Sequence, residues 1–114
     1  MSNPPSQIKL HRKSQTLELH FAEPYTLSAE FLRVHSPSAE VRGHGKGKEV
    51  LQLNKQDVHI TNIEPQGNYA IRLIFNDGHD SGIYSWSYLH ELCQQQNSKW
   101  QTYQQQVAEH KNPI

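Results

Sequence analysis

The sequence predicts an α+β fold in two layers, with an antiparallel-rich sheet carrying two or three helices. Three observations lead there. Short runs alternate apolar and polar residues between turn clusters, most clearly Tyr69, Ile71, Leu73 and Phe75. The dipeptide Asp77-Gly78 follows that run at once, and it favours a tight turn because glycine takes positive φ without a Cβ clash. Ser85 then precedes Trp86, Leu89, Leu92 and Cys93, a capping residue followed by one apolar helical face.

In chain order, residues 1–6 hold two prolines and little to bury, and they read as a disordered lead. Ile8 and Leu10, then Leu17, Leu19 and Phe21, alternate on either side of Lys13-Ser14 and predict a two-strand hairpin ended by Glu23-Pro24. A helix should start at Thr26 or Ser28 and run to about His35, with Leu27, Phe31 and Val34 as its apolar stripe and Pro37 as its stop. Residues 36–48 read as a loop. Val50, Leu51 and Leu53 predict a short strand, and Val58 to Ile63 another. Glu64-Pro65-Gln66-Gly67-Asn68 is a turn cluster ahead of the strand at 69–75.

After the Asp77-Gly78 turn, Ile83-Tyr84 forms a return strand and leads into the helix capped by Ser85. Gln94 to Asn97 should break that helix. Ser98 then caps a last one, with Gln101 as its capping-box partner and Trp100, Tyr103 and Val107 as a narrow apolar stripe. The chain thus divides into a lead (1–6), a domain (7–97), and a C-terminal helix and tail (98–114).

At 114 residues there is room for one core. The formal net charge of zero supplies no basic field for nucleic acid. No apolar run approaches a membrane span, so no membrane partner is expected. The single cysteine rules out an internal disulfide and fits a reducing compartment, so the cytoplasm is the expected location. A monomer or weak homodimer is expected.

Candidate chemistry is sparse. Gly43-His44-Gly45-Lys46-Gly47-Lys48 alternates glycines and suggests a phosphate cradle, but no Ser or Thr follows the lysine and a strand rather than a helix should come next, so a surface loop is expected. The eight histidines show no metal-ligand spacing, and His79 alone sits beside a tight turn, flanked by Asp77 and Asp80. His90 and Cys93 share a helical turn, with Cys93 on the buried face, where a free cysteine serves as a small core residue. No Gly-x-Ser-x-Gly and no acid–base carboxylate pair stands out, so an enzyme is not expected. Trp100 and Tyr103, with His44, Asp77 and Asp80, are candidates for contact with a partner.

Two stretches, Leu32-Arg33-Val34-His35-Ser36-Pro37-Ser38-Ala39-Glu40-Val41-Arg42-Gly43-His44-Gly45 and Asp77-Gly78-His79-Asp80-Ser81-Gly82-Ile83-Tyr84-Ser85-Trp86-Ser87-Tyr88-Leu89, together resemble the γ-butyrobetaine hydroxylase-like N-terminal domain, the DUF971 family. The resemblance runs from about Ile8 to Cys93. It implies a domain that in the hydroxylases precedes the catalytic double-stranded β-helix and carries zinc on three cysteines and a histidine. Matched to this chain, the histidine is His79 and the cysteine positions are Ser36, Ser38 and Val41. Serine hydroxyls are poor zinc ligands and valine is none, so the zinc site is expected to be lost and no cofactor is expected. The iron and 2-oxoglutarate residues of those hydroxylases belong to the other domain. Similar domains are also fused to iron–sulfur P-loop ATPases. The resemblance therefore implies a non-catalytic accessory domain acting on a protein partner, linked to iron–sulfur or metal metabolism. The alternatives are a metal-binding module centred on His79, and a non-catalytic partner subunit of a separately encoded 2-oxoglutarate oxygenase.

Overall fold

The computed structural model describes residues 3–43 and 49–111. Among these residues six strands form two three-stranded antiparallel sheets, and four helices accompany them. The first sheet is β1 (Gln7–His11), β2 (Thr16–His20) and β3 (Pro24–Ser28), in that order. The second is β4 (Ile60–Gln66), β5 (Ala70–Phe75) and β6 (Gly82–Ser85). The helices are α1 (Ala29–Val34), α2 (Ala39–Arg42), α3 (Trp86–Gln94) and α4 (Gln96–Lys111).

The alternation read from the sequence sets which faces meet. Leu17, Leu19 and Leu27 of the first sheet pack with Ile71, Leu73, Phe75 and Tyr84 of the second, and with Phe31, Leu32, Leu89 and Leu92 of the helices, in one core. Ser28 and Ser85 cap α1 and α3, their hydroxyls accepting from Phe31 N at 3.0 Å and Tyr88 N at 3.2 Å. Gln15 joins the two sheets. Its side-chain carbonyl accepts from Ile60 N at 2.8 Å and its backbone carbonyl from Ala29 N at 2.9 Å.

Several expectations are corrected. The first hairpin pairs His11 with Thr16, so its turn spans Arg12 to Gln15 rather than Lys13-Ser14 alone, and Gln15 takes the positive φ of 53°. Pro24 opens a third strand instead of ending the second, and Pro65 lies within β4 rather than in a turn. Both strands are sheet edges, where a residue without an N–H costs no ladder hydrogen bond. Leu27 accordingly lies in β3, ahead of α1.

Residues 50–53 do not form a strand. Val50 N donates to Val41 O at 2.8 Å and Gln52 O accepts from the Tyr103 hydroxyl at 2.6 Å, so the segment finds partners on α2 and α4 and not on a neighbouring strand. The loop expected at 36–48 contains α2, and its His44–Lys48 part lies outside the described residues, as do Met1-Ser2 and Asn112–Ile114. Only Gln95 separates α3 from α4. Without Gly or Pro at 94–97 the helix resumes at Gln96, and Ser98 sits inside it, donating to Gln95 O at 3.1 Å rather than capping. None of the helices of the described residues is long and apolar enough to cross a membrane.

Candidate functional site

Three segments converge on His79. The β5–β6 connection carries the residue, Ser36-Pro37-Ser38 faces its ring, and α2 brings Glu40 to the other side.

The connection is built around Asp77-Gly78. Gly78 takes φ of 89° and donates to Phe75 O at 3.3 Å, and Phe75 N donates to His79 O at 3.0 Å. Asp77 Oδ1 accepts from His79 N at 3.2 Å, while its Oδ2 accepts from Arg33 Nε and Lys55 Nζ, both at 2.9 Å. Arg33 is 6% exposed and also donates to Gln52 Oε1 at 3.0 Å. Burial by itself pushes the Asp77 carboxyl up, but Lys55, the His79 N–H and Arg33 outweigh it and hold the group at about 2. Asp77 thereby ties the turn to α1 and to the segment before β4.

The imidazole that this turn holds is 4% exposed. Its Nε2 lies 2.8 Å from Ser36 Oγ and 3.4 Å from Ser38 Oγ. Nδ1 lies 3.3 Å from Glu40 Oε2, within ion-pair range but without hydrogen-bond direction, so that buried nitrogen has no hydrogen-bond partner among the described residues. Charge chooses the tautomer. A carboxylate beside Nδ1 favours N–H there, which leaves Nε2 to accept from the Ser36 hydroxyl. Ser36 Oγ in turn accepts from Ser38 N at 3.3 Å. Burial first, then the nearby Arg33 charge, holds the His79 ring below its ordinary range, and Glu40 and Asp77 only partly oppose this. Ser38 occupies the N-cap position of α2 yet makes no cap bond. Its hydroxyl is spent on His79.

Ser36, His79 and Glu40 have the connectivity of a nucleophile, a base and an orienting acid. Access is what they lack. Ser36 is 1% exposed, and Gly82 backs onto it so closely that a Cβ there would stand 2.5 Å from Oγ and 3.1 Å from the Tyr84 ring. A substrate carbonyl has no route to that hydroxyl in this arrangement. The same residues fit zinc poorly. Hydroxyls stand at two of the three thiolate positions, Val41 supplies no donor, His79 is left as the one strong ligand of the set, and no group of three His, Cys, Asp or Glu side chains is gathered for a metal among the described residues.

The remaining candidates are placed as follows. Asp80 is exposed, its Oδ2 3.8 Å from Arg72 Nη1. Trp100 stacks on Tyr103 at 5.3 Å between ring centroids and meets Phe31 edge-on at 6.2 Å. Tyr103 is buried, so both aromatic rings of α4 rest on their own domain. His90 lies against Phe21 with ring centroids 4.6 Å apart. Cys93 is buried and its thiol is pushed up to about 12 by that burial, which leaves it unreactive as a nucleophile. His44 lies outside the described residues.

No local signal singles out Glu40, Gly82 or the Arg42–Tyr88 pair, in which the guanidinium sits 4.7 Å from the ring centroid. Beside this pair a groove of about 1270 Å³ runs between residues 49–52 and α4, lined among others by Arg42, Glu91, Lys99 and Tyr103.

Fold and site together define a small antiparallel α+β domain whose hydrogen-bonded serine–histidine joint locks a loop to a hairpin. The chain belongs to the γ-butyrobetaine hydroxylase-like N-terminal family, whose model matches residues 8–90. Two proteins with NMR solution structures are similar to it. One has 48% identity and a TM-score of 0.84, covering 96% of this chain and 88% of that one. The other has 46% identity and a TM-score of 0.82, covering 96% and 83%. The crystal structure of a DUF971 family protein of unknown function from Acidithiobacillus ferrooxidans is 32% identical, with a TM-score of 0.64 over 77% of this chain and 90% of that one. No curated protein matches the chain.

Proposed function

We propose that this domain is a non-catalytic accessory module that binds a segment of another protein, with a role in iron–sulfur or other metal metabolism. The observation that supports this reading most is the groove between residues 49–52 and α4. Its walls alternate charge and aromatic surface, Arg42, Tyr88, Glu91, Lys99 and Tyr103, and Val50 in the same lining is 52% exposed. Arginine and tyrosine are residues that protein interfaces favour. The joint of Ser36, Ser38 and His79 fixes the segment that leads into α2, the helix that carries Arg42, so the groove is presented on a rigid base. The link to metal metabolism comes from the family resemblance.

The test is affinity capture from the native cell with wild-type protein and with an Arg42→Glu, Lys99→Glu variant. A partner held by the wild type and lost by the variant, with both proteins folded, supports the reading. A partner retained by the folded variant refutes the groove assignment.

A second reading, a metal module centred on His79, draws on the buried Nδ1 that has no hydrogen-bond partner among the described residues. The hydroxyl donors argue against it. Metal analysis of untagged protein separates the two.

A further inference from the structure

The second sheet ends in an edge that nothing among the described residues protects. An exposed strand edge invites pairing, and proteins blunt it with proline, lysine, a bulge or a covering helix. Three of the four edges here carry such a device. β4 has Pro65 and a register shift between Ile60 and Asn62. β1 carries exposed Lys9. β3 is covered by helices, with His90 of α3 edge-on to Tyr25 and Gln96 of α4 donating to Thr26 O at 3.1 Å. β6 is Gly-Ile-Tyr-Ser, with no charge, no proline and no bulge, and its Ile83 is 42% exposed.

The ladder fixes which groups that edge offers. Trp86 N donates to Tyr69 O at 3.2 Å, one step past the Ala70–Ser85 pair. Antiparallel ladders alternate, so Tyr84 and Gly82 also turn their backbone toward β5, while Ile83 and Ser85 turn theirs away. Pro65 agrees from the other side of β5: it stands opposite Ile71 and has no N–H to give, so the backbone of Ile71 serves Tyr84. The Ser85 C=O opens α3. Three outward groups remain, the N–H and C=O of Ile83 and the N–H of Ser85, and no described residue bonds any of them. Beside them lies a cleft of about 550 Å³, lined by Pro37, Arg42, Ile83, Ser85, Tyr88 and Glu91 among others. Arg42, Tyr88 and Glu91 also line the groove described above, so cleft and groove adjoin. Arg42 is exposed, stacks on Tyr88 and makes no ion pair among the described residues, whereas Glu91 is already paired with Lys99 at 3.4 Å.

We infer that an extended, acidic segment of a partner protein adds to β6 as a fourth strand of the second sheet, with a carboxylate of that segment on Arg42. The inference rests on the reading that the domain binds a segment of another protein, and it supplies the conformation and the charge of that segment. In strand addition the backbone pairing gives affinity and the flanking side chains choose the sequence. Three outward groups make few hydrogen bonds, so a second anchor is needed. Arg42 fits that role, because a guanidinium held on a ring keeps its planar fork of donors in place for a carboxylate. A second copy of this chain suits the edge less well, since its own β6 would bring an uncharged Gly-Ile-Tyr-Ser to Arg42.

The test uses the full chain labelled with nitrogen-15 and three synthetic peptides of about eight residues, an ordinary strand length. The first alternates valine and threonine around one central glutamate. The second has lysine in place of that glutamate. The third keeps the glutamate but is N-methylated through its centre, which removes the amide donors. The glutamate peptide should shift the Ile83 and Ser85 amide signals saturably and slow hydrogen exchange at Ile83. The lysine peptide should bind roughly fivefold more weakly or worse, and the methylated one should not bind. Arg42→Gln should erase the preference for glutamate over lysine. If that variant does not fold, the two peptides on the wild type still decide. No saturable shift with the glutamate peptide overturns the inference, as does equal binding of the lysine or the methylated peptide. Shifts confined to residues 49–52 and α4, with the β6 amides unmoved, overturn strand addition and leave the groove reading standing. Shifts at neither surface count against both. Protection of the Ile83 amide that rises with protein concentration in the absence of peptide assigns the edge to a second copy and overturns the inference as well.

Discussion

Gly82 and Ser36 share one narrow space: a Cβ at residue 82 would stand 2.5 Å from the same hydroxyl oxygen that meets His79 Nε2 at 2.8 Å. Gly82 is not among the glycines with positive φ, so contact and not backbone strain excludes a side chain there. Gly82→Ala should therefore destabilise the protein by roughly 1–3 kcal/mol, as overpacking does. Ser36→Ala should cost about 1–2 kcal/mol by leaving a buried ring nitrogen without its donor. Because each change relieves part of the other, the double variant should lose less than the sum. Chemical denaturation of the four proteins measures this, and strict additivity would show that the two residues do not share the space.

Stability should fall in two separate steps as the pH is lowered. His79 has a folded-state value below its ordinary 6.5, chiefly through burial. Its contribution is complete above 6.5 and declines as the pH drops through that value, because the unfolded chain then binds the extra proton. Half-buried His35 is shifted the same way, also chiefly by desolvation. Asp77 contributes stability above its ordinary 3.8 that is lost as the pH falls toward about 2. Melting temperature against pH should show both declines. In His79→Gln the upper one should shrink while the lower one persists. An unchanged upper step in that variant would assign it elsewhere.

Metal removal should leave the fold intact. Dialysis of untagged protein against chelator is expected to leave the far-ultraviolet circular dichroism and the melting temperature unchanged, since the joint at His79 is held by hydroxyls. Installing the family's ligands is the complementary experiment. Ser36→Cys, Ser38→Cys and Val41→Cys together should give a chain that takes up one zinc ion and loses stability when it is stripped. Loss of structure from the unmodified protein on chelation would refute the hydroxyl-joint account.

The C-terminal helix should stabilise its own domain. Trp100 and Tyr103 rest on Phe31 and His35, and the Tyr103 hydroxyl donates to Gln52 O at 2.6 Å. Deleting residues 98–114 should lower the melting temperature by several degrees without changing the oligomeric state. Tyr103→Phe, which removes only the hydroxyl, should cost about 1 kcal/mol. A truncated protein that melts as before but loses a dimer or a captured partner would make this helix an interaction arm.

The sequence by itself determined the elements whose signals fit within one short window. The α+β class, the serine caps at Ser28 and Ser85, the alternation through β1, β2 and β5, and the Asp77-Gly78 turn each depend on neighbours a few residues away. The two family stretches were legible for the same reason, because a motif is a local string, and the resemblance they carry set His79 against positions 36 and 38, which the structure brings together.

Tertiary structure decided whatever depends on the neighbour across the fold. Pro24 and Pro65 read as stops, yet they lie in strands because those strands are edges, a property of sheet order alone. Val50, Leu51 and Leu53 look like a strand, but Val50 N donates to Val41 O of α2 and the neighbouring Gln52 O accepts from the Tyr103 hydroxyl of α4. Ser98 looks like a cap and is not one, because the chain between α3 and α4 holds nothing that keeps it from coiling. The joint itself spans 43 residues between Ser36 and His79. Its character was settled when folding set Gly82 against the Ser36 hydroxyl and Glu40 beside Nδ1, closing the space to solvent. Burial fixes whether a hydroxyl and an imidazole make a hydrogen bond or an open site, and burial is a sum over the whole molecule.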